Sequence, residues 1–274
     1  MAMLPPDRQL DRYVAVDFEY RRRDGERPEP HCAVLRSFAP GAPSIRLSGS
    51  DLARPPPILC DPHTTVLAYY APAEASCMDV LGWPDPDRWV DVYAERRCLR
   101  NGLPSPAGNG LLGAMVELGL PVQGAADEKD SMRALAIRGG PFSTEERAQL
   151  LAYCAEDVSA LVAVVEHLPP SDVRHAELRG AYSALIGKIE NIGVPVDLPA
   201  LLRLREAWPV TRGSLVADAG LEEFWPNGSF SAAAFESWLR RQGIHWPRLP
   251  SGKPALDDQT FRTMAARDRR IGTI

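Results

Sequence analysis

Apolar positions run first with the period of strands and later with the period of helices. Tyr13 to Phe18, His31 to Phe38 and Ser44 to Leu47 are short, β-branched or aromatic-rich runs that predict three strands. The polar stretch Arg21 to Pro30 separates the first two, and Arg23-Asp24-Gly25-Glu26 suits a hairpin tip, because Asp-Gly tolerates the positive φ such turns need. After Arg54-Pro55-Pro56-Pro57, Thr65 to Tyr69 predicts a short buried strand. A helix follows from Pro72, where proline suits a first turn, and ends at Gly82 and Pro84. Trp89 to Val92 predicts one more strand, and Leu111 to Leu118 and Ser131 to Ala136 predict short helices. Ser143-Thr144-Glu145-Glu146 has the form of a capping box. It opens a long helix through Leu151, Tyr153, Val158, Leu161, Val162 and Val165, which Pro169-Pro170 stops. Strands, then mixed elements, then a closing helix imply an α/β fold, a central mixed sheet flanked by helices.

Pro169-Pro170-Ser171-Asp172 is the expected domain boundary, giving domains 1–170 and 171–274. Beyond it the pattern is mainly helical, over Arg174 to Asn191, Leu198 to Ala219, Ser231 to Gln242 and Asp257 to Arg267. Trp225, Trp238 and Trp246 are the expected small core of this segment. There is no internal repeat.

Composition narrows the class. The 274 residues are 45% hydrophobic, enough for one large core or two ordinary ones. The pattern offers no apolar run near the roughly 20 residues of a membrane span, and Met1 to Pro6 lacks an export signal, so no membrane is expected and the cytoplasm is the default. The cysteines, Cys32, Cys60, Cys77, Cys98 and Cys154, form no CxxC pair, which argues for reduced, mostly buried thiols rather than a disulfide framework or zinc site. A net charge of −5 argues against a basic coat that grips duplex nucleic acid, although cations held by acids reverse the field locally.

Candidate chemistry begins in the first strand. Asp17 and Glu19 share one face about 6.5 Å apart, and two such carboxylates in a half-buried strand are tolerable with a hard cation such as Mg²⁺ or Mn²⁺ between them. Taken alone the spacing is common, and an exposed acidic strand face explains it. Glu74 stands near the start of the helix after the Thr65 strand, and Asp157 lies one helical turn after Tyr153 on the closing helix.

Asp17-Phe18-Glu19, Tyr70-Ala71-Pro72-Ala73-Glu74 and Tyr153-Cys154-Ala155-Glu156-Asp157 resemble, in order and approximate spacing, the three motifs of the DEDD 3′-5′ exonucleases. The Tyr-x-x-x-Asp form of the third is similar to the tyrosine branch, and the whole looks like the proofreading domain of phage-type family A DNA polymerases. Gly180 to Asp197, Phe224 to Leu239 and Pro250 to Met264 resemble the segment that leads into the polymerase thumb; the likeness stops before palm or fingers.

The resemblance implies a ribonuclease H-like sheet, two Mg²⁺ or Mn²⁺ ions and hydrolysis of single-stranded DNA 3′ ends to nucleoside 5′-monophosphates. RNA is an alternative substrate, a silent nucleic-acid-binding domain an alternative function, and a polymerase domain in the same or a partner chain the implied companion. Residue by residue, Asp17 would bridge both ions, Glu19 and Asp157 would complete the ion that activates water, Glu74 would serve the ion at the leaving 3′ oxygen, and Tyr153 would orient the water. Glu74 and Tyr70 depart from the usual Asp and Asn of the second motif, and the extra methylene displaces the carboxylate by about 1.5 Å. Asp79 falls on a different helix face from Glu74, and Asp91 matches a family acid read as structural. Phe18 is expected in the core, with a wedge beside the terminal base as its functional reading. Tyr70 is the candidate base-stacking ring and Tyr69 a core one. Arg21, Arg22 and Arg23 are read as a solvated hairpin tip, and no histidine is assigned to metal.

Overall fold

A computed structural model describes residues 10–122, 126–169, 172–226 and 228–272. The expectations on Met1 to Pro6, on Pro170 and on Ser171 lie outside these. The chain forms two compact units, Met1–Gly193 and Val194–Ile274.

The first unit is built on a five-stranded sheet. Its strands are β1 (Tyr13–Arg21), β2 (Glu29–Ser37), β3 (Ile45–Ser48), β4 (Thr65–Ala68) and β5 (Arg88–Asp91), in the order β3-β2-β1-β4-β5. β1, β2 and β3 pair antiparallel, while β4 and β5 run parallel to β1. This mixed order, with helices on both faces, is the ribonuclease H-like arrangement. Gly25, at φ +76°, makes the β1–β2 turn that the Asp-Gly pair predicts.

Alternation along β1 feeds two cores. Val14, Val16 and Phe18 pack with Leu35, Val66 and the helix α1 (Ala71–Val80), and Tyr13 and Ala15 pack with Leu67 and the long helix α5 (Thr144–His167). Fully buried aliphatics such as Val14, Val34 and Leu67 each contribute about 1.5–3 kcal/mol. The capping box is formed as predicted, Ser143 Oγ accepting from the Glu146 amide at 3.1 Å while the Glu146 carboxylate accepts from the Ser143 amide at 2.8 Å. By length and composition α5 could cross a membrane, a property the sequence pattern did not suggest; here Leu150, Cys154, Val158, Leu161 and Val165 bury its apolar face against the sheet.

Three further helices complete this side: α2 (Val92–Arg100), α3 (Leu111–Glu117) and α4 (Ala126–Arg138). The sequence pattern missed α2 and assigned Val92 to a strand. The strand ends at Asp91, whose carboxylate accepts from the Ala94 amide at 3.2 Å, so one residue closes β5 and caps α2 with no connecting loop to mark the change.

The compact division comes after Gly193, later than the Pro169 boundary, because helix α6 (Val173–Ile192) packs into the first unit. A Cβ on Gly180 would stand 2.2 Å from the Trp89 carbonyl oxygen, and one on Gly187 would stand 2.1 Å from that of Pro72, so α6 touches β5 and α1 backbone to backbone. Arg179 donates twice to the buried Glu95 carboxylate at 2.6 and 2.7 Å, and Asn191 bonds Ser76 and Asp79 of α1. These buried polar contacts, invisible as a hydrophobic period, hold the helix.

The second unit holds α7 (Leu198–Asp218), α8 (Ala232–Gln242) and α9 (Asp258–Ala265). Phe224, Phe235, Leu239, Trp246, Met264 and Ile271 form its core, with Trp225 and Trp238 packed on it, as the tryptophan spacing predicts. α7 buries none of its residues.

Candidate metal centre

The site arises where β1 outruns its parallel neighbour. β4 pairs with β1 only over Tyr13 to Ala15 and ends at Ala68, whereas β1 continues to Arg21. Asp17 and Glu19 therefore project beyond the carboxyl end of β4, the place where open α/β sheets leave a crevice. They face α5, on the side of β1 that carries Tyr13 and Ala15. A bulge between Glu19 and Tyr20 shifts the register against β2 and locally re-aims the strand.

Asp157 meets them from α5. One carboxylate oxygen each from Asp17, Glu19 and Asp157 lie within 4.8 Å of one another. Glu74, in the first turn of α1, is 5% exposed and adjoins Asp17 from the other side, outside that triad. Burial, and then the Asp157 charge, push the Asp17 carboxyl up to about 8; burial and the neighbouring Asp17 push Glu19 up to about 10. Burial and Asp17 likewise raise Glu74 well above the ordinary glutamate range. Asp17 Oδ2 and Glu74 Oε2 are buried without a hydrogen-bond partner among the described residues. Hard oxygens crowded together, two of them orphaned, suit a divalent cation such as Mg²⁺ or Mn²⁺.

Tyr153 hydrogen-bonds Asp157, and burial followed by the Asp157 charge raises its phenol well above 10. The Cys154 thiol donates to the Asp17 carbonyl at 3.2 Å, tying α5 to β1 beneath the acids. Sequence reasoning missed Lys129. Its ammonium lies 3.3 Å from Asp157 Oδ1 and 6.0 Å from the centre of the Tyr153 ring. The available signal was compositional: the chain has 31 basic residues, and Lys129, Lys188 and Lys253 are its lysines. Beside this group a cavity of about 200 Å³ opens, lined by Met115, Leu120, Val122, Lys129, Asp157 and Ala160.

The remaining candidates separate. Phe18 is 4% exposed and packs on Trp83 at 5.5 Å, so strand alternation turns its ring away from the acids and into the expected core. Tyr70 is exposed at the start of α1. The half-buried Tyr69 shares its hydroxyl proton between the Asn109 and Gly110 carbonyls and accepts from Arg96. Asp79 accepts from Asn191 at 2.8 Å, and Asp91 serves as the α2 cap, a structural acid. Arg21 pairs with Glu29, and Arg22 with Glu190 at 2.8 Å, so these members of the basic run brace the hairpin. Cys32, Cys77 and Cys154 are buried, Cys60 and Cys98 exposed, and all five are free thiols.

No family model and no curated protein matches the chain. Solved structures do. One, described as the apo form of a nuclease, is 16% identical with a TM-score of 0.45 over 67% of this chain and 86% of that one. Another, the POL domain of Pol1 from M. smegmatis in complex with DNA primer-template and dNTP, is 12% identical with a TM-score of 0.49. That match covers 95% of this chain and 42% of the other, so the chain spans less than half of that polymerase's length.

Proposed function

We propose that the chain is a metal-dependent 3′-5′ exonuclease of the DEDD tyrosine type, which removes nucleoside 5′-monophosphates from single-stranded DNA ends in a proofreading role. The observation that carries this reading is the convergence of Asp17, Glu19 and Asp157, acids from β1 and α5, on one point with Glu74 beside them. Asp17 would be shared between two Mg²⁺ or Mn²⁺ ions, with Glu19 and Asp157 completing one and Glu74 the other. Bound there, such ions would lower the pKa of the attacking water and neutralise charge on the leaving oxygen.

The chain's own groups supply the rest. Tyr153 keeps its proton at neutral pH and donates it to Asp157, holding that carboxylate in place, while its oxygen keeps a lone pair that can accept from a water. The Lys129 ammonium, on the rim between Asp157 and the cavity, offers a positive charge to a phosphate entering from that side. Tyr70, exposed beside Glu74, is the ring for a base near the cut. Glu74 reaches from α1 by one methylene more than aspartate, and tight α6 packing behind α1 fixes how far the helix backs away.

The test is degradation of a 5′-labelled single strand with Mn²⁺, with deoxy- and ribo-oligonucleotides in parallel. Shortening from the 3′ end, lost in Asp17→Asn, is the expected result. A parent chain that leaves both strands intact while calorimetry shows Mn²⁺ bound would overturn it.

A further inference from the structure

The wall of the crevice continues past Glu74 as an aromatic corner. Tyr70 precedes α1 and has half its surface exposed, 50%. Tyr93, the second residue of α2, sets its ring edge-on to Tyr70 at 5.7 Å and 88°, and to Tyr69 at 6.1 Å and 71°. One turn along α2, the exposed Arg97 holds its guanidinium 5.8 Å from the centre of the Tyr93 ring and donates to the Tyr93 hydroxyl at 3.3 Å. The floor beneath is braced: buried Arg96 bonds Tyr69, Ser105 and Glu117, and Asp91 caps α2.

We propose that Tyr93 and Arg97 extend Tyr70 into a track for the nucleotides upstream of the one removed, Tyr93 by stacking on a base and Arg97 by meeting a phosphate. This rests on the nuclease reading of the acids. Three features favour a single nucleic-acid strand as occupant. Aromatic faces accept any base, which suits a site that must pass every sequence. Arg97 has no carboxylate partner among the described residues, whereas its neighbours Arg96 and Arg100 are both paired with Glu117. A guanidinium without a carboxylate partner, beside the exposed Tyr70 and the half-buried Tyr93, complements a polyanion whose bases are unstacked. The corner is also continuous with the acid group: Glu74 follows Tyr70 by one helical turn, and under the nuclease reading Glu74 is the acid nearest the oxygen that the upstream nucleotide keeps. A strand leaving the cut on that side meets Tyr70 first and α2 next.

Binding separates this from the nuclease reading. Fluorescein-labelled oligothymidylates, as dimer, tetramer and octamer, are titrated in EDTA with the full parent chain, Tyr93→Ala, Tyr93→Phe and Arg97→Glu, reading anisotropy. Tyr93→Ala is expected to weaken octamer binding by roughly 5- to 150-fold, the range for one lost base stack. The deficit should shrink toward the dimer, and Tyr93→Phe should restore parental affinity. Arg97→Glu, at an exposed position that leaves packing intact, should weaken the octamer and flatten its salt dependence. Equal octamer affinities for Tyr93→Ala and Tyr93→Phe, or an Arg97→Glu chain that binds like the parent, would sink the track. Length-dependent binding that Tyr93→Ala weakens, in a parent that cuts nothing with Mn²⁺, would sink the nuclease reading and leave Tyr93 and Arg97 as a single-strand binding corner only. Cleavage by the parent with Tyr93 substitutions neutral in binding would do the reverse.

Discussion

Replacing Gly187 with alanine tests the packing that presents Glu74. The added Cβ would stand 2.1 Å from the Pro72 carbonyl oxygen, whereas ordinary contact begins at 3.4 Å, so α6 and α1 must separate by about 1.3 Å. Both partners are backbone, and no rotamer change relieves the overlap. Such overpacking costs about 1–3 kcal/mol, with a rigid backbone contact at the upper end. Alanine recovers about 1 kcal/mol of helix propensity, leaving a net loss near 2 kcal/mol. In a unit of this size that lowers its Tm by about 4–8 °C. Moving α1 also shifts Glu74, and displacements of about 1 Å cost catalytic sites on the order of 100-fold. The control is Gly213→Ala in α7, where a Cβ meets nothing within 4 Å and the same propensity gain stands unopposed. Scanning calorimetry of the two variants, with Mn²⁺-dependent cleavage alongside, reads both effects. An unshifted or raised Tm for the first unit in Gly187→Ala would refute the close approach of α6.

In EDTA the acids make stability pH-dependent. Asp17 and Glu19 titrate near 8 and 10 when folded but near their ordinary values of 3.8 and 4.5 when unfolded, so the folded state holds more protons between those limits. Stability should therefore fall as pH rises from about 4 to about 10, and Mn²⁺ should flatten the slope; a flat EDTA profile of Tm against pH would contradict the burial of these groups. Asp17→Asn should reduce cleavage by at least ~1000-fold while raising Tm in EDTA at pH 8, because it removes a buried charge from a crowded set. Loss of both activity and stability would mean that Asp17 is structural. Lys129→Met should lower kcat by about 100-fold with Mn²⁺ affinity unchanged or tighter, since Asp157 loses a competing cation; weakened Mn²⁺ binding by calorimetry would count against the phosphate-facing role.

The sequence by itself determined the strands, the capped helix α5, the tryptophan core of the second unit and the residues of the acidic set, because each depends on local period, turn chemistry or spacing. Asp17 and Glu19 must share a strand face, and Tyr153 and Asp157 must share a helix face, whatever the rest of the chain does. Tertiary structure decided what those faces meet. β1 outruns β4, so its acids open onto a crevice; α6 belongs to the first unit because two glycines admit backbone contact; Phe18 turns inward to Trp83. Lys129 and Tyr93 carry no periodic signal, and their neighbours lie in other elements, Asp157 in α5 and Tyr70 ahead of α1. Local pattern fixes the direction of a side chain relative to its own backbone. The charge, ring or carbonyl at the far end of that direction is set by how elements pack, through contacts that no single segment encodes.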